Sequence, residues 1–178
     1  MPSNHEASQL RAKVHVSSNA EDILGQGSFA TVYKGKFEGQ DVAVKVFSST
    51  GTAGTAMADF RMEAAILEEL RHEHVINFVC ALPSTSAAET SMLVMQYAPG
   101  GSLKDLLYPP KGAPSPLRTQ PEKRLTIAKH VAAGLMHIHN KGLIHRDVKP
   151  ANVLLMGDGI TAKAVSYTHL TLPTILLV

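Results

Sequence analysis

The sequence of 178 residues contains one cysteine, Cys80, and carries little net charge. A single cysteine excludes an internal disulfide and favours a reducing compartment such as the cytoplasm. The net charge of +2 comes without a block of basic residues, so nothing indicates nucleic acid or an anionic membrane as a partner. With 44% hydrophobic and 18% charged residues, the composition is that of a globular domain rather than a disordered chain.

Long apolar runs are also missing from the sequence. No stretch approaches the roughly 18 apolar residues that span a bilayer, and residues 1–18 lack the apolar core of a signal peptide. Residues 1–19 show no sustained hydrophobic period, which predicts a flexible lead-in. Together these absences predict a soluble cytoplasmic domain with no membrane segment.

The segment from Ile23 to Phe47 is predicted to form strands separated by turns. Apolar residues alternate through Asp41–Phe47, which is the pattern of a half-buried strand. Its valines therefore face one way, and Lys45 lies on the opposite face with Ala43 and Phe47.

Two long helices are predicted over residues 57–70 and 121–140, where apolar side chains recur at helical spacing. Pro121 suits the first turn of the second helix, and Gly142 ends it. The intervening chain predicts two strands, a short helix capped by Ser102 and a proline-rich surface loop. A hairpin is predicted after residue 151.

The pattern Gly25-x-Gly27-x-x-Ala30 is a glycine-rich turn between two strand-like segments. Glycine lets a backbone approach phosphate oxygens and present its N–H groups. A plain hairpin turn needs glycine as well, so this signal is weak alone. A dinucleotide-binding Rossmann unit would continue with a helix, whereas Ala30-Thr31-Val32-Tyr33 favours a strand.

Lys45 and Glu63 are charged residues that are predicted to face the interior. Glu63 lies on or beside the apolar face of the first long helix, between Phe60 and Leu67. An inward carboxylate is costly unless it is paired. We therefore predict a buried Lys45–Glu63 ion pair, against the alternative of two unrelated surface charges.

The run His145-Arg146-Asp147-Val148-Lys149-Pro150-Ala151-Asn152 places a carboxylate, a cation and a carboxamide within eight residues. Phosphoryl transfer needs such groups, because the protein must orient a hydroxyl and neutralise charge rather than do covalent work. The run matches the pattern H-R-D-x-x-x-x-N at every fixed position.

Other candidates carry weaker signals. Histidines at His72-x-His74 and His137-x-His139 could suggest a metal, but residues two apart on a helix do not converge, and zinc spacing is absent. Cys80 stands in an apolar run and is predicted to be a buried small hydrophobe rather than a nucleophile.

The sequence resembles the protein kinase family over about residues 21–163. The motifs that carry the resemblance stand in the family's order: the glycine turn, Val42-Ala43-Val44-Lys45, Glu63, the linker 96–101 and the H-R-D loop. The resemblance implies an α+β fold with a complete β-rich N-terminal lobe, one main helix in that lobe, and the first part of a helical C-terminal lobe. The implied domains are a flexible segment 1–19, the N-lobe and hinge 20–98, a partial C-lobe 99–163, and a tail 164–178 that is not kinase-like.

The resemblance also implies an ATP site. The glycine turn would cover the phosphates through Gly25, Gln26 and Gly27, while Lys45, held by Glu63, would contact the α- and β-phosphates. Further residues would surround adenine, either through side chains or, at the hinge, through the backbone: Val32, Ala43, Met95, Gln96, Ala98 and Leu154.

In the catalytic loop, the resemblance implies that Asp147 accepts or orients the substrate hydroxyl. Lys149 would stabilise the transferring phosphate, and Asn152 would bind Mg²⁺. Lys149-Pro150 resembles serine/threonine kinases rather than tyrosine kinases, so the implied partners are ATP and a protein with a serine or threonine acceptor.

The resemblance stops after Lys163, where the sequence continues Ala164-Val165-Ser166-Tyr167 without an Asp-Phe-Gly. The aspartate of that motif holds the principal Mg²⁺ in the family. The sequence therefore predicts a kinase domain that is incomplete at its C-terminal end. A nucleotide-binding pseudokinase and a partner-binding module without catalysis remain as alternatives.

Overall fold

The computed structural model describes residues 4–17, 19–27, 29–48, 53–86, 89–109 and 114–165. The helices are α1 (Asn4–Arg11), α2 (Ala53–Glu69), α3 (Leu103–Leu107) and α4 (Pro121–Asn140). The strands are β1 (Val14–Val16), β2 (Ile23–Gln26), β3 (Ala30–Phe37), β4 (Gln40–Phe47), β5 (Phe78–Leu82), β6 (Met92–Gln96), β7 (Val153–Leu155) and β8 (Ala162–Ala164).

The first six strands form one antiparallel sheet in the order β1-β3-β4-β6-β5. Strand β2 lies on the same edge of β3 as β1, because Val16 pairs with Gly35 and Ile23 pairs with Tyr33. Strands β7 and β8 form a separate antiparallel hairpin. The fold is thus the predicted α+β arrangement, with a β-rich lobe first and a helical part after it.

Strand β4 separates two cores, as its alternating sequence predicts. Val42 and Val44 pack on the rear of the sheet with Leu82 and Val94. Phe47 packs on the other face, where its ring meets Phe60 of α2 edge-on at a centroid distance of 5.5 Å. Lys45 therefore projects towards α2.

The long helices agree with the sequence. Helix α4 has the predicted bounds, and it ends before Gly142, whose φ of +72° suits glycine. Helix α2 begins four residues before the predicted start at residue 57. No helix in the described part of the chain is long and apolar enough to cross a membrane.

Helix α1 and strand β1 lie within residues 1–19, for which the sequence predicts a flexible lead-in. Strand β1 pairs with β3, and the buried Ala7 and half-buried Leu10 pack α1 on the sheet. The Arg11 side chain donates hydrogen bonds to the carbonyl oxygens of Leu82, Pro83 and Thr90, at 2.9–3.2 Å. These contacts are long-range, so local periodicity could not predict them.

Two other boundaries differ from the sequence prediction. Gly25 and Gln26 pair with β3 as part of β2 rather than forming a turn. Ala164 pairs with Val153, and Val165 is buried, so the packed structure extends two residues beyond the predicted boundary at residue 163. The sequence predicts a tail over residues 164–178, of which residues 166–178 lie outside the described residues.

Gly134 lets α4 approach the chain at His74. A Cβ built on Gly134 would lie 2.4 Å from the His74 carbonyl oxygen, a backbone atom that cannot rotate away. We expect Gly134→Ala to lower the free energy of unfolding by about 1–3 kcal/mol through overpacking. Chemical denaturation would measure it.

The exposed Ala132 on the same helix provides the matched control. Ala132→Gly should also destabilise, by about 1 kcal/mol, because alanine favours a helix where no neighbour interferes. A stabilising Gly134→Ala would contradict the close packing of α4.

Candidate active site

The Lys45 ammonium and the Glu63 carboxylate form a buried ion pair. Lys45 Nζ lies 2.7 Å from both carboxylate oxygens of Glu63. The two residues are only 9% and 4% exposed. The pair predicted from the sequence is therefore present in the structure, between β4 and α2.

Neighbouring strands place apolar side chains around this lysine. Val32 and Leu93 are its cross-strand partners on β3 and β6, so both share its face of the sheet. The Phe47 ring lies 5.1 Å from Lys45 Nζ. In these surroundings a lysine needs an anion, which Glu63 supplies.

The catalytic loop brings Asp147, Lys149 and Asn152 together, as predicted. Lys149 Nζ lies 2.7 Å from Asp147 Oδ2. Asn152 Nδ2 donates hydrogen bonds to the same Oδ2 at 2.7 Å and to the Asp147 carbonyl oxygen at 2.8 Å. The Asp147 carboxylate is thus held from two sides.

These contacts set the protonation state of Asp147. The hydrogen bond from Lys149 is the largest cause that lowers the pKa of Asp147, and the hydrogen bond from Asn152 is the next. Hydrogen bonds to the charged form favour that form. The Asp147 carboxylate is therefore an ionised acceptor at neutral pH, suited to orienting a hydroxyl group.

Val165 connects the loop to α2. The Val165 N–H donates to the Asn152 carbonyl oxygen at 3.0 Å, and His145 Nε2 lies 2.7 Å from the Val165 carbonyl oxygen. Its side chain belongs to the same core cluster as Phe60 and Ala64 of α2. The ion pair and the catalytic loop are thus joined through one buried residue.

His145 is the first residue of the H-R-D run. It is 2% exposed and fixes the chain at Val165, so its part here is structural. Arg146, next to it, adopts a positive φ of 63°. The H-R-D signature was the signal that marked both.

The glycine-rich segment at the end of β2 has open space beside its backbone. A Cβ at Gly25 would meet no atom within 4 Å, and Gln26 is exposed. The Gly27 N–H donates to the Ala30 carbonyl oxygen at 2.9 Å, which closes the β2–β3 connection. This geometry would let the backbone approach a phosphate.

The side chains that are predicted to line an adenine pocket lie on neighbouring elements of the structure. Ala43 pairs with Met95, directly across β4 and β6. Both belong to the core cluster that contains Ala98, and the half-buried Leu154 packs against it from β7. An apolar pocket with a few polar groups is the usual form of a ligand site.

The predicted hinge has one backbone group that is already in use, at Gln96. Its N–H already donates to the Asn77 carbonyl oxygen at 2.9 Å. This N–H therefore does not serve as a donor to a base, and a hydrogen bond from Gln96 to adenine would use its carbonyl.

The residues present fit a magnesium ion only in part. Asn152 is 7% exposed, and its carboxamide oxygen is the type of ligand that Mg²⁺ accepts. Within the described ranges, no group of three or more His, Cys, Asp or Glu side chains could hold a metal. Asn152 would thus be one ligand of a set that the described side chains do not complete.

The weaker candidates do not join this site. Cys80 is half-buried, and burial raises its pKa to about 11, so the thiol is a poor nucleophile. His72 and His74 do not form a metal cluster with other described side chains.

Comparison with known proteins agrees with this geometry. The family model described as protein kinase domain matches residues 18–165. The chain is 39% identical over 152 residues to the serine/threonine-protein kinase PBL27 of Arabidopsis thaliana, covering 80% of this chain and 27% of that protein. It is 34% identical over 143 residues to the inhibitor of nuclear factor kappa-B kinase subunit epsilon of Mus musculus, covering 79% and 19%.

A third relative is the receptor-like kinase TMK2 of Arabidopsis thaliana, with 36% identity over 152 residues that cover 83% of this chain and 16% of that protein. The chain thus spans less than a third of the length of these three relatives. The family match covers the glycine turn, the Lys45–Glu63 pair and the catalytic loop. The chain belongs to the protein kinase family.

Proposed function

We propose that this chain binds ATP and, with Mg²⁺, supports transfer of the γ-phosphoryl group to serine or threonine hydroxyls of proteins. The observation that carries the proposal is the buried Lys45–Glu63 pair, with Nζ 2.7 Å from both carboxylate oxygens. A buried pair is weak evidence of stability alone, since apolar residues often stabilise as well. Its value lies in presenting a fixed cation to phosphates.

The nucleotide would lie between the two lobes. Lys45, held by Glu63, would contact the α- and β-phosphates, and the backbone of Gly25, Gln26 and Gly27 would cover them. The base would lie in the apolar pocket and reach the backbone at Gln96 and Ala98. The side chains that would line this pocket are Val32, Ala43, Met95 and Leu154.

The catalytic loop would act on the acceptor hydroxyl. The ionised Asp147 carboxylate would orient that hydroxyl and accept its proton, as a positioned general base does. Lys149 would leave Asp147 for the transferring phosphate, since its side chain is 52% exposed and can move. Asn152 would hold Mg²⁺, which supplies neutralisation of phosphate charge when bound.

A serine or threonine acceptor is favoured by Lys149-Pro150 after Asp147 and by the similarity to the serine/threonine-protein kinase PBL27. The single cysteine suits a reducing compartment, so we place the reaction in the cytoplasm.

Nucleotide binding without transfer is the second candidate. One observation favours it: Asn152 has no described cluster of acidic side chains with which to complete a metal site. In this case the chain would bind ATP but would not position the γ-phosphate for in-line transfer.

Thermal unfolding with nucleotide tests both candidates. We expect ATP with Mg²⁺ at 100 times its dissociation constant to stabilise the chain by about 2.7 kcal/mol. A parallel assay would follow radiolabelled γ-phosphate onto a protein substrate, with phosphoamino-acid analysis of the product. Stabilisation without transfer would leave only the binding function, and the absence of stabilisation would contradict both.

A further inference from the structure

Four histidines form two stacked pairs where the segment 72–75 meets α4. His74 stacks on His130 with ring centroids 4.0 Å apart and an interplanar angle of 16°. His72 stacks on His137 at 4.8 Å and 20°. His72 and His74 also meet edge-on at 5.6 Å. We call these four side chains the histidine joint.

Close packing fixes the joint in place. His130, Gly134 and His137 share one face of α4, because they are spaced by four and three residues. A Cβ on Gly134 would lie 2.4 Å from the His74 carbonyl oxygen, which itself accepts a hydrogen bond from the Ala164 N–H at 2.9 Å. Segment 72–75, α4 and β8 therefore meet here with little space to adjust.

Two of the rings act as hydrogen-bond acceptors towards the backbone. The Ala162 N–H donates to His130 Nδ1 at 3.3 Å, and the His74 N–H donates to His72 Nδ1 at 3.1 Å. An imidazole nitrogen accepts only when it carries no proton. Protonation of His72 or His130 would therefore abolish a backbone hydrogen bond as well as place charge in a stacked pair.

The charged groups around the joint are of both signs. Glu73 Oε1 lies 3.5 Å from His74 Nε2, and Asp158 on the β7–β8 turn interacts with His130. Lys141 at the end of α4 interacts with His137, and the buried Lys163 of β8 interacts with Glu73. Glu73 is 80% exposed, so solvent screens its attraction.

Burial is the main influence on the two rings whose pKa is shifted, His74 and His137. It is the largest cause that lowers the pKa of His74, followed by the charge of His130. Burial is also the largest cause that lowers the pKa of His137, and the charges of His72 and Lys141 lower it further. Desolvation disfavours the charged form of a histidine.

From the stacking and the hydrogen bonds we infer that the histidine joint is a proton-sensitive contact between segment 72–75 and α4. With neutral rings the contact holds the chain after α2 against the helical part. With protonated rings it loosens, because two like charges replace each stacked neutral pair. This inference does not depend on phosphoryl transfer by the chain.

The direction of the pH effect follows from the lowered pKa values of His74 and His137. Above about pH 6.5, the usual pKa of histidine, these rings are neutral in both the folded and unfolded chain. Below it the unfolded chain takes up protons that the folded chain resists, so stability falls as the pH falls. The contribution is present at neutral pH and is lost under mild acid.

The test compares thermal unfolding of the full chain at pH 7.5 and pH 5.5, followed by circular dichroism. The variant is the double substitution His74→Asn and His137→Asn, which removes the two rings whose pKa is lowered. An asparagine amide can replace His74 Nδ1 as the hydrogen-bond donor to the Ala162 carbonyl oxygen but does not titrate. We expect the wild-type melting temperature to fall at pH 5.5, and the fall to shrink by at least half in the variant.

The matched control replaces two exposed histidines outside the joint, His15→Asn and His139→Asn, and should keep the wild-type fall. An equal fall in the joint variant, or the same loss in the control, would overturn the inference. If the joint variant is unfolded at pH 7.5, NMR titration of the wild-type rings decides. His74 and His137 must then titrate below about pH 6.5, the usual pKa of histidine, and titration of both rings above that value would refute the joint.

Discussion

Lys45→Met should lower the free energy of unfolding by about 3–5 kcal/mol, because it leaves the Glu63 carboxylate buried without its cation. For a chain of this length this corresponds to a fall of about 6–20 °C in melting temperature. The same substitution should remove the stabilisation by ATP, since no other described side chain occupies the position of Lys45 between β4 and α2. Thermal unfolding with and without nucleotide measures both effects.

Lys36→Met is the control for this variant. Lys36 forms its ion pair with Asp41 at 2.6 Å on the surface of β3 and β4, where solvent screens the charges. Lys36→Met should therefore leave both the melting temperature and the stabilisation by ATP close to those of the wild type. Adding Glu63→Leu to Lys45→Met should recover much of the stability without restoring ATP binding, because it removes the unpaired charge. Lys45→Met as stable as wild type would show that the pair is not buried in solution.

Asp147→Asn should reduce the rate of phosphoryl transfer by about 10²–10⁴-fold, the usual contribution of a positioned general base. The carboxamide keeps the size of the side chain, so the loop should retain its fold. The stabilisation by ATP should remain within about twofold of wild type in apparent affinity, because Asp147 acts on the acceptor and not on the nucleotide. Initial rates of transfer to a protein substrate provide the measurement.

Asp59→Asn removes the same charge from an exposed position on α2 and should transfer phosphate at the wild-type rate. A wild-type rate in Asp147→Asn would refute the assignment of the base. A loss of ATP binding in that variant would instead mean that Asp147 supports the nucleotide site, and a chain without any transfer would reduce the function to binding.

The Lys45–Glu63 pair and the loop from His145 to Asn152 were predictable because local sequence patterns mark their residues. Lys45 interrupts an alternating strand, Glu63 interrupts a helical apolar face, and both cannot stay unpaired inside a protein. The loop from His145 to Asn152 is contiguous, so its geometry follows from the motif. The adenine-pocket roles and the Mg²⁺ role of Asn152 stay predictions, since they concern groups that only a bound nucleotide would reveal.

Contacts that join distant segments were not predictable in the same way. The sequence placed His72 and His74 side by side and gave no sign that His130 and His137 would stack on them. Likewise, no local sequence pattern indicates that the Gln96 N–H donates a hydrogen bond to the Asn77 carbonyl oxygen. Such pairings arise from tertiary packing, which overrides local preference at element ends.

The bonds of Arg11 to three carbonyls have a practical consequence for work on fragments. The family match begins at residue 18, so a gene trimmed to that boundary would omit α1 and β1. The ends of β5 and β6 would then lose a donor, and the apolar rear of the sheet would meet water. Recombinant versions meant for crystallisation or ligand screening should therefore keep residues 4–17, even though sequence comparison does not count them as part of the domain.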